Sequence, residues 1–361
     1  MRQFNLILFA IWPLHAYSAE LEVVSVSFEH DYFSVEVHLS LTGEIVAGDT
    51  GRLSQQLGAM LPNHSPNALT SIAISLNSEG GSFAEGVELM RYFHDQAIST
   101  VVEDGNRCLS ACAIAFLGGN FVNEASLNET RRVLHPGGQL GFHAPRLEVG
   151  GDNLVPASLL QNSYGQALAA LGSLMQEAED FDIQLSLLQT IIETPPSDMY
   201  LVETVDDVAR WRIQVPAPGV ETFATRTELA RLCDHFEIWD AGNSVIERSQ
   251  GHGSYFAQRQ SEWAGQFQFV DGRSVGIPAR YAHVQTVEFE YNTYCVVEML
   301  FFGAIAGQSN VVQLGVNYTN GSPQATIDDL QSANITNNLA PPLFRYPPEM
   351  LISDLPRVRY P

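Results

Sequence analysis

The sequence predicts an α/β fold with a largely parallel sheet, followed by a smaller β-rich C-terminal domain. Three observations predict it. Strand-like and helix-like spacings of apolar residues alternate from residue 35 to residue 192. The run Leu69–Leu76 is mostly apolar without strict alternation, as a strand covered on both faces must be. Beyond the linker Pro216-Ala217-Pro218-Gly219, apolar residues recur at every second position, the mark of half-buried strands. A length of 361 residues accommodates two such domains.

The elements follow in order. Residues 1–19 have the layout of a secretory signal peptide, with Arg2, the apolar run Leu6–Leu14, and small residues at Ala16 and Ser18 that suit cleavage after Ser18 or Ala19. That run is too short to span a bilayer, and Val296–Ala306 is short and interrupted by Glu298. The expected location is therefore periplasmic or secreted. Val35–Leu41 alternates and stops at Thr42-Gly43, a strand and its turn. Residues 49–60 read as a helix with Leu53, Leu57 and Met60 on one stripe. Ser82–Gln96 is a second helix, capped by Ser82 and striped by Val87, Met90 and Phe93. Ile98–Val102 is a strand, Ser110–Leu117 a compact helix, and Arg132–Pro145 two strands around a Pro-Gly-Gly turn. Residues 157–192 hold two helices. Leu160, Tyr164, Ala167–Leu168, Leu171 and Met175 read as the core stripe of the first, and Ile183–Ile192 carry the next.

These elements place a first domain at 20–215. A β-rich domain at 220–335 is read from the strand patterns Phe236–Trp239, Phe267–Phe269, Val287–Tyr291 and Val312–Tyr318, with a turn at Asp271-Gly272. Gly251-His252-Gly253 reads as an exposed loop, and the Pro-rich residues 336–361 as an irregular tail.

Composition narrows the chemistry. The net charge of −23 argues against nucleic acid and anionic membrane surfaces, because phosphate binding takes basic clusters. The acidity serves solubility. All 18 basic residues are Arg. A serine nucleophile in this chain therefore has no lysine to activate it, and His is the remaining common base. Four cysteines in an exported chain suggest disulfides, with three connectivities open. The simplest pairs Cys108 with Cys112 and Cys233 with Cys295, each within its own half. On a regular helix the Cα atoms of Cys108 and Cys112 would lie ~6 Å apart, within disulfide range. Two free buried thiols, or a redox-sensitive pair, are the alternatives. His235, His252 and Asp234 show no recurring ligand spacing, so no metal is expected. Gly118-Gly119 lacks the residues of a phosphate loop, and no cofactor is implied.

Three pieces carry chemistry. The glycine pair Gly80-Gly81 ends an apolar strand and lets backbone N–H groups approach a substrate oxygen. Ser110 opens a helix of small residues, where free N–H donors face a developing oxyanion. His143 closes a later strand, and a neutral His is the usual base near neutral pH. These are the parts of an acyl-transfer enzyme. Read blandly, Ser110 is a helix cap, His143 a core histidine and Asp198 a solvated loop carboxylate.

Leu41-Thr42-Gly43-Glu44-Ile45, the turn Asn77–Gly81, Ser110 among small neighbours and Phe142-His143-Ala144-Pro145 stand in an order that resembles the Clp protease proteolytic subunit, over roughly residues 35–214. The signal-like start and the cysteines flanking the serine make an exported Clp-like branch the nearest in character. The resemblance implies a ClpP/crotonase-like fold with Ser110 as nucleophile, His143 as base, and an oxyanion hole from the N–H of Ala111 and one from Gly80-Gly81. It implies Asp198 as third member, because the family's acid lies two residues before an aromatic-Leu pair, as in Asp198-Met199-Tyr200-Leu201. Glu193, Asp180 and Asp182 are the other carboxylates in reach of that role. The chain departs from the family at Glu79, where the family has Pro, and at Pro195-Pro196, where it usually has charged residues.

The implied activity is that of an exported serine peptidase acting on peptide or unfolded-protein substrates laid along a strand edge. It would work without the Clp ATPase, since little ATP exists outside the cytoplasm. The family's ring stacking implies a homo-oligomer unless the second domain blocks that packing. Two other readings stand beside it: an acyl hydrolase, because crotonase-like folds also host thioester chemistry, and a catalytically silent binding module, favoured by Glu79 and the approach to Asp198.

Overall fold

The computed structural model describes residues 18–29, 34–60, 70–122, 128–145, 156–216, 225–250, 253–274, 277–288, 291–300, 312–318, 343 and 346–355. Most of the signal-peptide reading, residues 1–17, falls outside them. The first domain is mixed α/β. Strands β1 (Glu20–Glu29), β2 (Ser34–Thr42), β3 (Thr70–Asn77), β4 (Ile98–Val102) and, further on, β8 (Arg132–Leu134) form one sheet in the order β1-β2-β3-β4-β8. Only β1 runs antiparallel to its neighbour; the other pairs are parallel. Helix α1 (Asp49–Met60) links β2 to β3, and α2 (Phe83–Asp95) links β3 to β4. The register pairs Thr42 with Asn77, so the loops leaving β2 and β3 emerge side by side.

A second, smaller sheet builds the site. Its strands are β5 (Arg107–Leu109), β9 (Gln139–Phe142) and β10 (Tyr200–Leu201), in the order β10-β9-β5. Helix α3 (Ala111–Phe116) leaves β5 directly and is buried at every position. The hairpin β6 (Asn120–Val122) and β7 (Asn128–Thr130) returns the chain to β8. Gly118 lets α3 press on α2, since a Cβ there would lie 2.0 Å from the Met90 carbonyl oxygen.

Helix periodicity translates unevenly into burial. Val87, Met90 and Phe93 of α2 are buried as expected, and the Ser82 hydroxyl accepts the Glu85 N–H. Of the stripe expected to bury α4 (Ala157–Glu177), Tyr164, Leu168 and Met175 instead face solvent, 64, 49 and 50% exposed, whereas Leu171 packs against the core. Leu174 is the buried residue, with Ala170 and Leu171 beside it. The helix is anchored near its C-terminal end, where Arg91 of α2 binds Glu177 at 2.9 Å, and this sets the face turned inward. Helices α5 (Leu185–Glu193) and α6 (Val205–Arg210) complete the domain.

The C-terminal half differs from its sequence reading in five places. Phe236–Trp239 lies in helix α7 (Arg226–Asp240), not in a strand. A capping box of Thr225 and Glu228 starts that helix, and Leu229, Cys233 and Phe236 bury a helical stripe that outweighs the local alternation. Helices α8 (Val245–Ser249) and α9 (Gly253–Gln266) follow, so Gly253 opens a helix; Gly251 and His252 fall outside the described residues. The antiparallel sheet β11 (Gln268–Ser274), β12 (Ile277–Glu288), β13 (Tyr291–Leu300), β14 (Val312–Tyr318) comes last. Asp271-Gly272 sits within β11, and Ser274 pairs with Ile277 across the reversal. Val287–Tyr291 likewise spans a reversal, because Glu288 pairs with Tyr291. Finally, residues 346–355 are not an irregular tail. The Val205 N–H donates to the Met350 carbonyl at 2.9 Å, and Ile352 and Leu355 enter the core of the first domain.

Both expected disulfides are present, Cys108–Cys112 and Cys233–Cys295. They fit an oxidising, extracytoplasmic setting. No helix among the described residues is long and apolar enough to cross a membrane.

Helix α7 bridges two cores: Leu229, Cys233 and Phe236 pack with Trp263 and Cys295, whereas Ile238 and Trp239 join the first domain. His235 is buried there with an unpartnered Nδ1. Burial, and then the charge of Arg231, push its pKa down to about 4. The unfolded chain takes up that proton near the ordinary value of 6.5, so stability should fall as pH drops from 6.5 towards 4. Melting curves of His235→Phe should lose that part of the acid sensitivity. An unchanged pH slope would show that His235 does not carry it.

Candidate active site

Three chain segments meet at the site through main-chain hydrogen bonds. The turn after β3 is stitched to β5: Ser78 N–H donates to the Arg107 carbonyl at 2.7 Å, and Leu109 N–H to the Ser78 carbonyl at 3.0 Å. Strand β5 pairs with β9, and the Ser110 N–H donates to the Gly141 carbonyl at 2.9 Å. Strand β10 then pairs with β9 at Phe142, next to His143. Thus Ser110, His143 and the 195–199 loop are held at one end of the three-stranded sheet.

Ser110 is the most informative residue. Its backbone has φ +56° and ψ −122°, a left-handed conformation that costs an L-residue ~1–3 kcal/mol and persists only where the surroundings impose it. It occupies the N-cap position of α3, yet its hydroxyl makes no capping bond. This removes the reading of Ser110 as an ordinary cap. A strained strand-to-helix turn that presents a free hydroxyl is the layout of a nucleophile elbow.

The glycine turn closes against it. A Cβ on Gly80 would lie 2.7 Å from the Ser110 Cβ and 3.1 Å from the Ala111 nitrogen, so only glycine permits this approach. Gly80 and Gly81 have φ of +105° and +140°. The Gly80 N–H is taken by the Ser78 hydroxyl at 3.1 Å. Gly81 bridges Ile45, whose N–H and carbonyl bond Gly80 O and Ser82 N at 2.8 Å each. That geometry turns the Gly81 N–H away from Ile45, and it has no partner among the described residues. The Ala111 N–H at the head of α3 is likewise unpaired, as first-turn amides are. Of the candidate oxyanion donors, Ala111 and one of Gly80 and Gly81, the Ala111 and Gly81 N–H groups therefore have no partner among the described residues, while that of Gly80 does.

His143 and Ser110 line the same pocket, of about 690 Å³, together with Gly80, Gly81, Glu44, Glu79, Met199 and Asp198. His143 Nδ1 lies 2.7 Å from the Ala144 carbonyl oxygen. A carbonyl only accepts, so this contact puts the ring proton on Nδ1 and leaves the lone pair on Nε2. Among the described residues no hydrogen bond joins Ser110 to His143, or His143 to Asp198. Asp198 is exposed; its N–H donates to the Pro195 carbonyl at 2.9 Å, and the Ser197 hydroxyl lies 3.5 Å from its carboxylate. Glu193, Asp180 and Asp182 do not line the pocket. Glu193 is bound by Gln189, and Asp182 by Arg212. No family model matches this chain, and no curated protein does.

Some of the framework is not readable from motifs. Glu79 pairs with Arg107 at 2.6 Å and ties the turn to β5 across an exposed surface. Behind the pocket, the Tyr200 hydroxyl donates to Asp207 at 2.7 Å and accepts from Arg210 at 3.0 Å. Burial, and then the Asp207 charge, keep that phenol protonated far above its ordinary range. The Glu79–Arg107 pair spans 28 residues and leaves no local signal in the sequence. Among the described residues no cluster of metal-ligating side chains occurs.

The Ala144 contact makes a prediction about Asp198. On the reading of Ser110 as a nucleophile, with the imidazole already oriented by a main-chain carbonyl, Asp198→Asn should slow Ser110 labelling by an alkyl fluorophosphonate by about tenfold or less, far from the ~10⁴-fold loss seen where a buried aspartate sets the tautomer. Labelling rates of the two proteins decide it, and a loss near the larger figure would make Asp198 the third member of the site.

Proposed function

We propose that this chain is an exported serine hydrolase of ClpP/crotonase-like fold, working as an ATP-independent peptidase on peptide or unfolded-protein substrates. One observation carries the reading: Ser110 is held in a strained left-handed turn at the head of α3, its hydroxyl uncommitted, in the pocket that His143 also lines. The Ser110 oxygen attacks a substrate carbonyl, His143 Nε2 takes its proton, and the Gly81 and Ala111 N–H groups receive the developing oxyanion. Asp198 stands at the pocket rim, where it bears on substrate charge more than on the imidazole.

The open Ser110–His143 pair favours one rival, a silent module that keeps the pocket without turnover. Catalytic hydrogen bonds are often loose before substrate arrives, so the open pair does not exclude catalysis. The test is reaction of the full-length protein with an alkyl fluorophosphonate at neutral and mildly alkaline pH, followed by peptide mass spectrometry. A covalent adduct on Ser110 supports the hydrolase; a protein that stays unmodified is the binding module. Peptide against thioester substrates then separates peptidase from acyl hydrolase.

A further inference from the structure

We infer that the Cys108–Cys112 disulfide is a positioning clamp that holds the Ser110 backbone in its strained conformation. The catalytic consequence rests on the serine-hydrolase reading. Cys108 lies in β5 and Cys112 in the first turn of α3, so the bond ties the strand end to the helix start with Ser110 at the midpoint of the bridged segment. Ser110 needs such support. Its side chain makes no cap bond, and its backbone is otherwise secured by the Ser110 N–H bond to Gly141 and the Ile114 N–H bond to the Ser110 carbonyl, at 2.9 and 3.2 Å. Relaxation of Ser110 towards an ordinary negative φ would swing α3 against β5, and the disulfide forbids that separation.

The two disulfides should divide their labour. Stabilisation through the unfolded chain grows with the loop closed, and here the sequence separations are 4 and 62. The short bridge restrains little of the unfolded chain, so its effect is local to the turn it spans. The long bridge, Cys233–Cys295, joins α7 to β13 and serves global stability. Cys108 and Cys112 are both fully buried, so neither sulfur is open to an attacking thiolate and the bond is a fixed clamp rather than a redox switch.

The test compares full-length Cys108→Ala/Cys112→Ala and Cys233→Ala/Cys295→Ala with the parent. Fluorophosphonate inactivation is resolved into its maximal rate and its half-saturating concentration, alongside melting temperature and amide exchange over residues 109–113. For the first variant the maximal rate should fall by ~10-fold or more at unchanged half-saturation, because a nucleophile displaced by about 1 Å loses up to ~10²-fold. Within 109–113, its Leu109 and Ser110 amides, bonded to Ser78 and Gly141 in the parent, should exchange faster. The second variant should melt earlier than the first and keep the parent's inactivation rate. Cys108→Ser/Cys112→Ser repeats the first arm with volume retained. Parent-like inactivation and exchange in both short-bridge variants would overturn the clamp. If the parent itself is not labelled, the hydrolase reading fails, while exchange at 109–113 still decides whether the bond holds the turn.

Discussion

Replacing Ser110 with Ala should abolish fluorophosphonate labelling and lower turnover on the order of 10⁶-fold, the loss expected when a nucleophile is deleted from a formed serine-hydrolase site. The fold should survive, because among the described residues the Ser110 hydroxyl makes no hydrogen bond, capping or otherwise, that Ala would forfeit. His143→Ala should fall nearly as far, since nucleophile and base act as one unit. Ser110→Gly separates function from strain. At φ +56°, ψ −122°, glycine sits as readily as in the mirror conformation, so this variant should be inactive yet more stable by ~1–3 kcal/mol. Thermal melts of Ser110→Ala and Ser110→Gly read that difference directly. Equal melting temperatures would mean that the left-handed turn stores no strain, and the elbow reading would lose its physical basis.

Gly81→Ala should be the most damaging single methyl group at the site. Its Cβ would lie 2.1 Å from the Ile45 carbonyl oxygen, on a backbone with φ +140°. Backbone cannot yield as a flexible side chain does, so the Ile45 bridge must open and the Gly81 N–H must turn. Overpacking of this kind costs ~1–3 kcal/mol, and the left-handed φ adds to it. Losing one oxyanion donor costs a further ~10²–10³-fold in rate. Melting temperature and labelling rate should both fall. Gly81→Ala that melts early but labels at the parent rate would take the Gly81 amide out of the oxyanion hole and leave Ala111 alone.

Legibility differed by element. Strands β2, β3 and β4 and helix α2 were readable because burial on a regular element imprints a period on the sequence, as at Val87, Met90 and Phe93. Phe236–Trp239 misleads because four residues of alternation also fit a helix whose stripe runs back to Leu229. The α4 stripe shows the opposite failure. Tyr164, Leu168 and Met175 share a helix face, but periodicity does not say whether that face meets a partner. Residues 346–355 look irregular because their order comes from main-chain bonds to 203–206, which no side-chain pattern records.

Local chemistry, set by neighbours in the chain, was settled by sequence: the mixed α/β class, a parallel-sheet run ending in glycines, a serine between two cysteines, and no lysine to compete with histidine as base. Distances between chain-remote atoms belong to the tertiary structure alone. Packing decided that the Gly80 N–H is taken by Ser78 while that of Gly81 finds no partner among the described residues, that the Ala144 carbonyl meets the His143 ring, and that Glu79 answers Arg107. A hydrogen bond needs its two atoms about 3 Å apart, and only the folded chain brings Ile45 onto the glycine turn and sets Ser110 and His143 around one pocket.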